Sequence, residues 1–246
     1  MVGKVVLSVG MPRGGSGWYF NLTHDMVLAA GGQDARQIRA RYGLNSILTE
    51  INCNIGSLSS GRLLRVLVPT LLGNTFTIKT HAGPKRLSRA LIRWGFIKPA
   101  YIYRDPRDAL LSAFEYGQRS RGRSRDNVFA KLSTIEEAVT FIRGYVRISE
   151  DWLATSDVLH TRYEDFVTNY DVESARLAGF LGLDKSDRKI QEVIEKYRPE
   201  RGREGQKGLH LAKGKIGRFR ESLDPDMQAL CIQLFGNYLQ RAGYSP

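Results

Sequence analysis

A glycine-rich turn near the start of the chain holds the first residues whose types and spacing suggest chemistry. The sequence from Gly10 to Trp18 reads G-M-P-R-G-G-S-G-W and follows a short run of β-branched residues. A turn of this kind between a strand and a helix presents backbone N–H groups and a helix N-terminus to an anion. Arg13 adds a cation inside the turn. We therefore predict that a phosphate or a similar anion binds here.

The turn resembles a P-loop in part and departs from it in two positions. The spacing from Gly10 to Gly15 matches the beginning of a P-loop. However, Ser16 stands where the lysine belongs, and Gly17 where the magnesium-binding hydroxyl belongs. A phosphoryl group in transfer needs magnesium to offset its charge, whereas a sulfuryl group carries less charge and needs only fixed Arg and Lys side chains. The turn thus favours a site without a metal, and a small-molecule kinase with a modified loop is the alternative.

A second strand-to-helix junction lies at residues 101–108, Y-I-Y-R-D-P-R-D. Asp105 is suited to the N-cap and Pro106 to the first helical position. Arg104 then lies at the carboxyl end of a strand, where open α/β sheets bind their ligands. Ser112 is in the second turn of the helix, and helical side chains lean toward the N-terminus. We expect Arg104 and Ser112 to face the crevice of the glycine-rich turn, unless Arg104 pairs with a nearby carboxylate.

Strand and helix patterns alternate along the chain. Short apolar runs predict strands at residues 5–9, 76–78, 100–103 and 157–160. Helical patterns occur at residues 17–32, 63–72, 85–94, 106–116 and 135–153, twice within 171–197, and at 226–241. This alternation predicts a three-layer α/β fold, a central parallel sheet with helices on both faces. No repeat divides the chain, so we predict a single domain over residues 1–246.

Two segments interrupt this pattern, and both are basic. Residues 119–125 read R-S-R-G-R-S-R, and residues 198–218 are rich in glycine, lysine and arginine. Neither has the apolar periodicity of a helix or strand, so both are predicted to be loops. Loops as long as the second are often functional.

The net charge of +12 predicts an anionic partner. A nucleic-acid-binding module is therefore an alternative from another class, but the basic residues lack interleaved aromatics and no known binding motif occurs. Cys53 and Cys231 form no C-x-x-C pair, which argues against a zinc site and a disulfide framework. No apolar run is long enough to span a membrane, and no convincing signal peptide is present. The sequence predicts a cytoplasmic protein without a metal site.

The two junctions together resemble the paired phosphate-binding motifs of the PAPS-dependent sulfotransferase family. Members of this family transfer a sulfuryl group from 3′-phosphoadenosine-5′-phosphosulfate (PAPS) to a hydroxyl or amine of an acceptor. The resemblance implies that the 5′-phosphosulfate is held by Arg13, Gly14, Gly15, Ser16 and Gly17. It also implies that Trp18 stacks on adenine, and that Arg104 and Ser112 hold the 3′-phosphate.

Three later motifs agree with this resemblance and follow in the family's order. Residues 79–81 read K-T-H, as in the cytosolic branch, where the histidine is the base and the lysine a catalytic cation. Tyr163 begins a Y-E-D motif, whose tyrosine touches adenine. Lys213 and Gly214 begin a K-G-x-x-G loop that closes over the 3′-phosphate. Ala212 departs from the family, because an arginine often stands there.

The implied reaction is in-line transfer. His81 accepts the acceptor's proton, while Lys79 and Arg13 stabilise the charge that develops on the bridging oxygen. Glu50 is a reserve candidate for the base, because some carbohydrate-directed branches use a glutamate. The acceptor itself, whether small molecule, sugar or lipid, is left open by the sequence.

Overall fold

The computed structural model describes residues 2–124, 126–200 and 215–246. The strands are β1 (Val5–Gly10), β2 (Phe76–Thr80), β3 (Ile97–Tyr103) and β4 (Leu159–Arg162). The longer helices of these residues are α1 (Ser16–Ala29), α2 (Ala35–Arg41), α3 (Ser60–Leu71), α4 (Arg86–Arg93), α5 (Pro106–Arg121), α6 (Ile135–Leu153), α7 (Tyr163–Thr168), α8 (Tyr170–Leu181) and α9 (Arg188–Lys196). They are followed by the short α10 (Phe219–Ser222) and the long α11 (Pro225–Arg241), and a 3₁₀ turn occupies Val128–Lys131.

The four strands form one parallel sheet in the order β2-β1-β3-β4. Val5 of β1 lies opposite Phe76 of β2 and Ile97 of β3, so β1, β2 and β3 start level, whereas β4 starts opposite Ala100. Parallel strands that start level also end at a common edge. The glycine-rich turn, the K-T-H motif and the junction after β3 all emerge at that edge.

Different helices cover the two faces of the sheet. Val5, Leu7 and Val9 of β1 point into one cluster, together with Leu63 of α3 and Leu91 of α4. On the other face, side chains of α1, α7 and α8 pack against β3. A further cluster joins α5, α6 and α11. The predicted three-layer α/β fold is therefore confirmed, whereas the single-domain organisation stays a prediction.

The predicted elements all occur, with shifted ends. β3 begins at Ile97, three residues earlier than predicted, and β4 begins at Leu159, two residues later. The sequence analysis missed α2 and did not predict that the Y-E-D motif begins α7. The N-cap of α5 is as predicted, because the carboxylate of Asp105 accepts a hydrogen bond from the amide of Arg107 at 2.9 Å.

The prediction of a loop at residues 119–125 was wrong in its first part, because α5 continues to Arg121. The guanidinium of Arg121 donates hydrogen bonds to the carbonyls of Ala130 at 3.0 Å and Leu132 at 2.7 Å. These contacts hold the last turn of the helix against the segment that follows it. Of the second predicted loop, residues 201–214 lie outside the described residues.

Candidate active site

The glycine-rich turn joins β1 to α1, with Gly15 at the N-cap of the helix. Gly15 has a φ of 83°, which is in the left-handed region, and a Cβ there would lie 2.6 Å from Cδ2 of Tyr163. Both the backbone conformation and the close approach of Tyr163 therefore require glycine. No side chain of the described residues caps α1, and the first turn of the helix contains no acidic residue. The helix N-terminus thus keeps its affinity for an anion.

Arg13 and Ser112 are in contact, although the resemblance assigns them to different phosphates. Nε of Arg13 donates a hydrogen bond to Oγ of Ser112 at 3.3 Å. The guanidinium lies 4.4 Å from the ring centroid of Tyr116. Burial lowers the pKa of Arg13, and the neighbouring Arg119 and Arg104 lower it further. Several cations are thus gathered around the turn, as an anionic ligand requires.

Arg104 is buried at the same place, in contact with residues 215–219, which we call the late segment. Its guanidinium donates to the carbonyls of Arg13 and Lys215, each at 3.2 Å. It lies 4.3 Å from the ring centroid of Tyr163 and pairs with Asp108 at 3.4 Å. Arg104 therefore pairs with a carboxylate, which was the alternative left open by the sequence, and it does so next to the glycine-rich turn. Nε of Arg104 is buried and has no hydrogen-bond partner among the described residues.

Asp108 is a site residue that the sequence analysis missed. Its carboxylate accepts hydrogen bonds from the backbone amides of Gly217 at 2.7 Å and Phe219 at 3.1 Å. The sequence analysis included it only as the last residue of the junction at 101–108. Because both amides belong to the late segment, Asp108 fastens that segment to the helix that carries Arg104 and Ser112. No local signal indicated this contact, which spans 109 positions.

The K-T-H motif lies at the end of β2. Nδ1 of His81 is 2.5 Å from the carbonyl oxygen of Gly10. A carbonyl only accepts hydrogen bonds, so Nδ1 carries the proton and Nε2 carries the lone pair. Burial lowers the pKa of His81 to about 4, and the charge of Lys79 contributes to the shift. The imidazole is therefore neutral at pH 7, as a general base must be.

Lys79 is the buried neighbour of His81 in this motif. Burial lowers the pKa of its ammonium group to about 8, and the charge of Arg13 also contributes. The ammonium is therefore still mostly protonated at pH 7. The intervening Thr80 anchors the motif, since its hydroxyl donates to the carbonyl of Ile55 at 2.8 Å and accepts from the amide of Ala82 at 3.0 Å.

Four partly exposed aromatic side chains lead from Arg13 to His81. Successive ring centroids are 5.4, 5.6 and 5.1 Å apart, and the last ring is 6.5 Å from the His81 ring. This aromatic wall comes from α5, the 3₁₀ turn and α6, and consists of Tyr116, Phe129, Phe141 and Tyr145. The sequence analysis did not assemble it, because the rings are brought together only by packing.

The structure does not bring the face of Trp18 to the site. The indole is only 1% exposed, and its Nε1 donates a hydrogen bond to the carbonyl of Tyr197 at 2.9 Å. It packs on Phe166, with ring centroids 4.3 Å apart. Stacking of adenine on Trp18 stays a prediction, and it requires these neighbours to move. Tyr163 is also buried, but against the glycine-rich turn.

The two remaining predicted groups are not joined to this cluster. Glu50 is exposed, and no hydrogen bond or ion pair connects it to Lys79 or His81 in the described part of the chain. Lys213 and Gly214 lie outside the described residues. Lys215, the next residue along, contacts Arg104 through its carbonyl.

A parallel α/β sheet with a glycine-rich turn and clustered cations at its carboxyl edge is typical of proteins that bind phosphorylated nucleotides. The family model described as "Sulfotransferase domain" matches residues 73–241. The chain therefore belongs to the sulfotransferase family. Comparison with curated protein sequences gave no match.

Two solved structures are similar to the chain in fold. Retinol dehydratase, in complex with androsterone and the inactive cofactor PAP, is 21% identical, with a TM-score of 0.60 over 96% of this chain and 80% of that one. Mouse sulfotransferase SULT7A1, complexed with PAP, is 14% identical, with a TM-score of 0.60 over 97% of this chain and 84% of that one. At these identities the likeness supports the α/β fold.

The predicted enzyme class, sulfuryl transfer and the donor PAPS are confirmed through the family. The kinase and nucleic-acid alternatives have no such support. Within residues 2–124, 126–200 and 215–246, no helix combines the length and apolar composition needed to cross a bilayer. The same residues hold no cluster of His, Cys, Asp and Glu suited to a metal ion.

Proposed function

We propose that the chain transfers the sulfuryl group of PAPS to a hydroxyl or amine of an apolar acceptor, with His81 as the general base. The observation that carries this proposal is the hydrogen bond between Nδ1 of His81 and the carbonyl of Gly10. It fixes the tautomer whose lone pair is on Nε2, next to the predicted 5′-phosphosulfate turn, while burial and the charge of Lys79 lower the pKa of His81 and keep the imidazole neutral.

In this mechanism Nε2 of His81 accepts the proton of the acceptor's hydroxyl or amine. The acceptor atom forms a bond to sulfur, and the bond between sulfur and the bridging oxygen breaks. The electron pair of that bond stays on the bridging oxygen, and adenosine 3′,5′-bisphosphate (PAP) leaves. The charges of Lys79 and Arg13 stabilise the negative charge on this oxygen. Burial strengthens their effect, because screening by water is weak there.

The nucleotide is proposed to bind along the carboxyl edge of the sheet. The uncapped N-terminus of α1 and the amides of residues 14–17 suit the 5′-phosphosulfate. Nε of Arg104, which has no partner within the part of the chain that the structure describes, is a donor suited to the 3′-phosphate, and Ser112 lies beside Arg13 in the same cluster. Tyr163 is proposed to contact the nucleotide next to Arg104. Trp18, Lys213 and Gly214 remain expectations from the family resemblance.

The acceptor is proposed to be apolar, because the aromatic wall ends at His81. Partly exposed rings beside a base offer a flat apolar surface and little hydrogen bonding, which suits a phenol or an apolar alcohol better than a sugar. A screen with radiolabelled donor should compare phenols and apolar alcohols with sugars. Phe141→Ala should raise KM for the apolar acceptors, while the control Val128→Ala, at an exposed position, should not. Preferential turnover of sugars contradicts the acceptor class.

His81→Ala is the direct test of the base. Turnover should fall roughly a hundredfold to ten-thousandfold, which is the usual contribution of general base catalysis. The affinity for PAP should barely change, because His81 faces the acceptor in this mechanism. The control is His160→Ala, which also removes a histidine bonded to a backbone carbonyl. If His81→Ala retains turnover and Glu50→Gln loses it, the base is Glu50.

A cytoplasmic location is also part of the proposal. Cys53 and Cys231 are both buried free thiols, as is common in a reducing compartment. Fractionation of cells that produce the tagged protein tests this point. Recovery with secretory organelles contradicts it.

A further inference from the structure

An apolar surface lies away from the active site, on the outer side of α3 and α4. Among the described residues, eleven large hydrophobic side chains are exposed, and six of them belong to this region. We call these six the α3–α4 face: Val2, Leu64, Val68, Leu71, Leu72 and Trp94. Leu72 and Trp94 are each 67% exposed, which is unusual for side chains of this size.

The helical spacing of α3 explains half of this surface. Leu64, Val68 and Leu71 follow one another at intervals of four and three residues, so they share one side of the helix. The opposite side carries Leu63 and Val66, which are buried against the sheet. Thus α3 is apolar on two sides, of which the sheet buries one and leaves the other exposed.

Two backbone hydrogen bonds of the N-terminal segment show where Val2 and Trp94 lie relative to α3. The amide of Gly3 donates to the carbonyl of Thr70 at 2.8 Å, which places Val2 beside the end of α3. The amide of Val5 donates to the carbonyl of Phe96 at 3.0 Å, which brings the same segment to the turn where Trp94 lies. The lower part of the face is therefore at the amino ends of the strands, opposite the catalytic edge.

Basic residues predominate in the segment that forms most of this face. Residues 51–104 contain nine lysines and arginines and no aspartate or glutamate. Two of the nine belong to the active site and Lys98 lies on β3, whereas the other six lie on α3, α4 and the adjoining turn. Of these, Arg65, Arg86 and Arg93 are exposed, as is Lys4 of the N-terminal segment. Arg89 pairs with Asp151 of α6 at 3.6 Å.

We propose that the α3–α4 face binds the surface of a membrane that contains anionic lipids. Leucine and tryptophan side chains enter the boundary between headgroups and acyl chains, where tryptophan is enriched. The surrounding lysines and arginines attract the anionic headgroups, as on the cytoplasmic leaflet. A second copy of the chain fits less well, because a symmetric contact sets the same basic residues against each other. The inference does not depend on the acceptor or on the catalytic roles.

The test is flotation of the whole protein with vesicles. We expect binding to vesicles of phosphatidylcholine mixed with phosphatidylserine, and little binding to phosphatidylcholine alone. The double variant Leu71→Ser/Trp94→Ser removes apolar contacts, and Arg86→Gln/Arg93→Gln removes charge. Each double variant should weaken binding to the mixed vesicles at least tenfold. For the two arginines this follows because one basic residue near an anionic surface is worth roughly a factor of five in affinity.

Matched controls carry the same changes elsewhere on the surface. Ile232→Ser removes an exposed apolar side chain of α11, and Arg188→Gln removes an exposed charge of α9. Both should bind vesicles as the unchanged protein does, and all variants should keep normal turnover of a water-soluble acceptor, which verifies folding. Absence of binding to the mixed vesicles overturns the proposal. So does binding that Leu71→Ser/Trp94→Ser leaves intact, or a Trp94-dependent dimer in sedimentation equilibrium.

Discussion

Asp108→Asn tests whether the late segment is fastened to the nucleotide site through a single carboxylate. In the structure, this buried carboxylate accepts the amides of Gly217 and Phe219 and pairs with Arg104. Asparagine has nearly the same shape but one acceptor oxygen and no charge. One of the two amides therefore loses its acceptor, and the buried guanidinium loses its counter-charge.

The size of the effect follows from these contacts. A hydrogen bond to a charged group contributes about 1.5–3 kcal/mol. At about 1.4 kcal/mol per decade, its loss should make opening of the late segment roughly 10- to 150-fold more frequent. Hydrogen exchange at the amides of Gly217 and Phe219 measures this opening directly. Exchange in the strands of the sheet serves as the reference for global unfolding.

A second carboxylate of α5 provides the matched control. Glu115 pairs with Arg218 of the same late segment, whereas both amides donate to Asp108. Glu115→Gln should therefore leave exchange at Gly217 and Phe219 much slower than Asp108→Asn does. Calorimetry with PAP should also show weaker binding in Asp108→Asn, because Arg104 and the late segment lose their common support. Unchanged exchange in Asp108→Asn, or equal acceleration in Glu115→Gln, refutes this reasoning.

Three further predictions concern the turn, the pH dependence and the nucleotide. Gly15→Ala should weaken PAP binding and should lower the free energy of unfolding by more than the roughly 1–2 kcal/mol that a left-handed alanine costs. The control Gly31→Ala, at a φ of 86° with nothing within 4 Å, should show the backbone cost alone. Equal free energies of unfolding in the two variants contradict the steric argument. The value of kcat/KM for the donor should fall below about pH 4, where His81 becomes protonated, and above about pH 8, where Lys79 loses its charge. Lys79→Arg should remove that basic limb, and a limb near the ordinary lysine value contradicts the lowered pKa. Arg104→Ala should erase most of the preference for PAP over AMP. The affinity for PAP should fall roughly thirty- to several-thousandfold, because a buried charged contact is worth about 2–5 kcal/mol. Calorimetry that finds equal affinities for PAP and AMP in the unchanged protein contradicts the 3′-phosphate assignment.

Short-range signals determined the elements and the motifs. Apolar runs and helical spacing located the four strands and most of the helices, and Asp105 was recognised as an N-cap from its position before Pro106. Gly15 was likewise recognised from its neighbours, as part of a glycine-rich turn between a strand and a helix. Strand propensity, capping and turn geometry depend on a few neighbouring residues, so the sequence shows them directly.

Errors at the ends of elements came from contacts with distant residues. α5 extends to Arg121 because its guanidinium bonds two carbonyls of the following segment. The basic composition of residues 119–125 favours solvent exposure and gave no sign of those bonds. Here the tertiary contact is stronger than the local preference.

The sequence by itself determined which chemical groups the protein has and at which edge of the sheet they emerge. Only the tertiary structure decided how those groups act on one another. The contact of Arg13 with Ser112 spans 99 positions, and the tautomer of His81 depends on a carbonyl 71 positions away. The lowered pKa of Lys79 likewise arises from burial, which is a property of the packed chain. Such contacts form only when the helices and the sheet pack, because no interaction between sequence neighbours selects them.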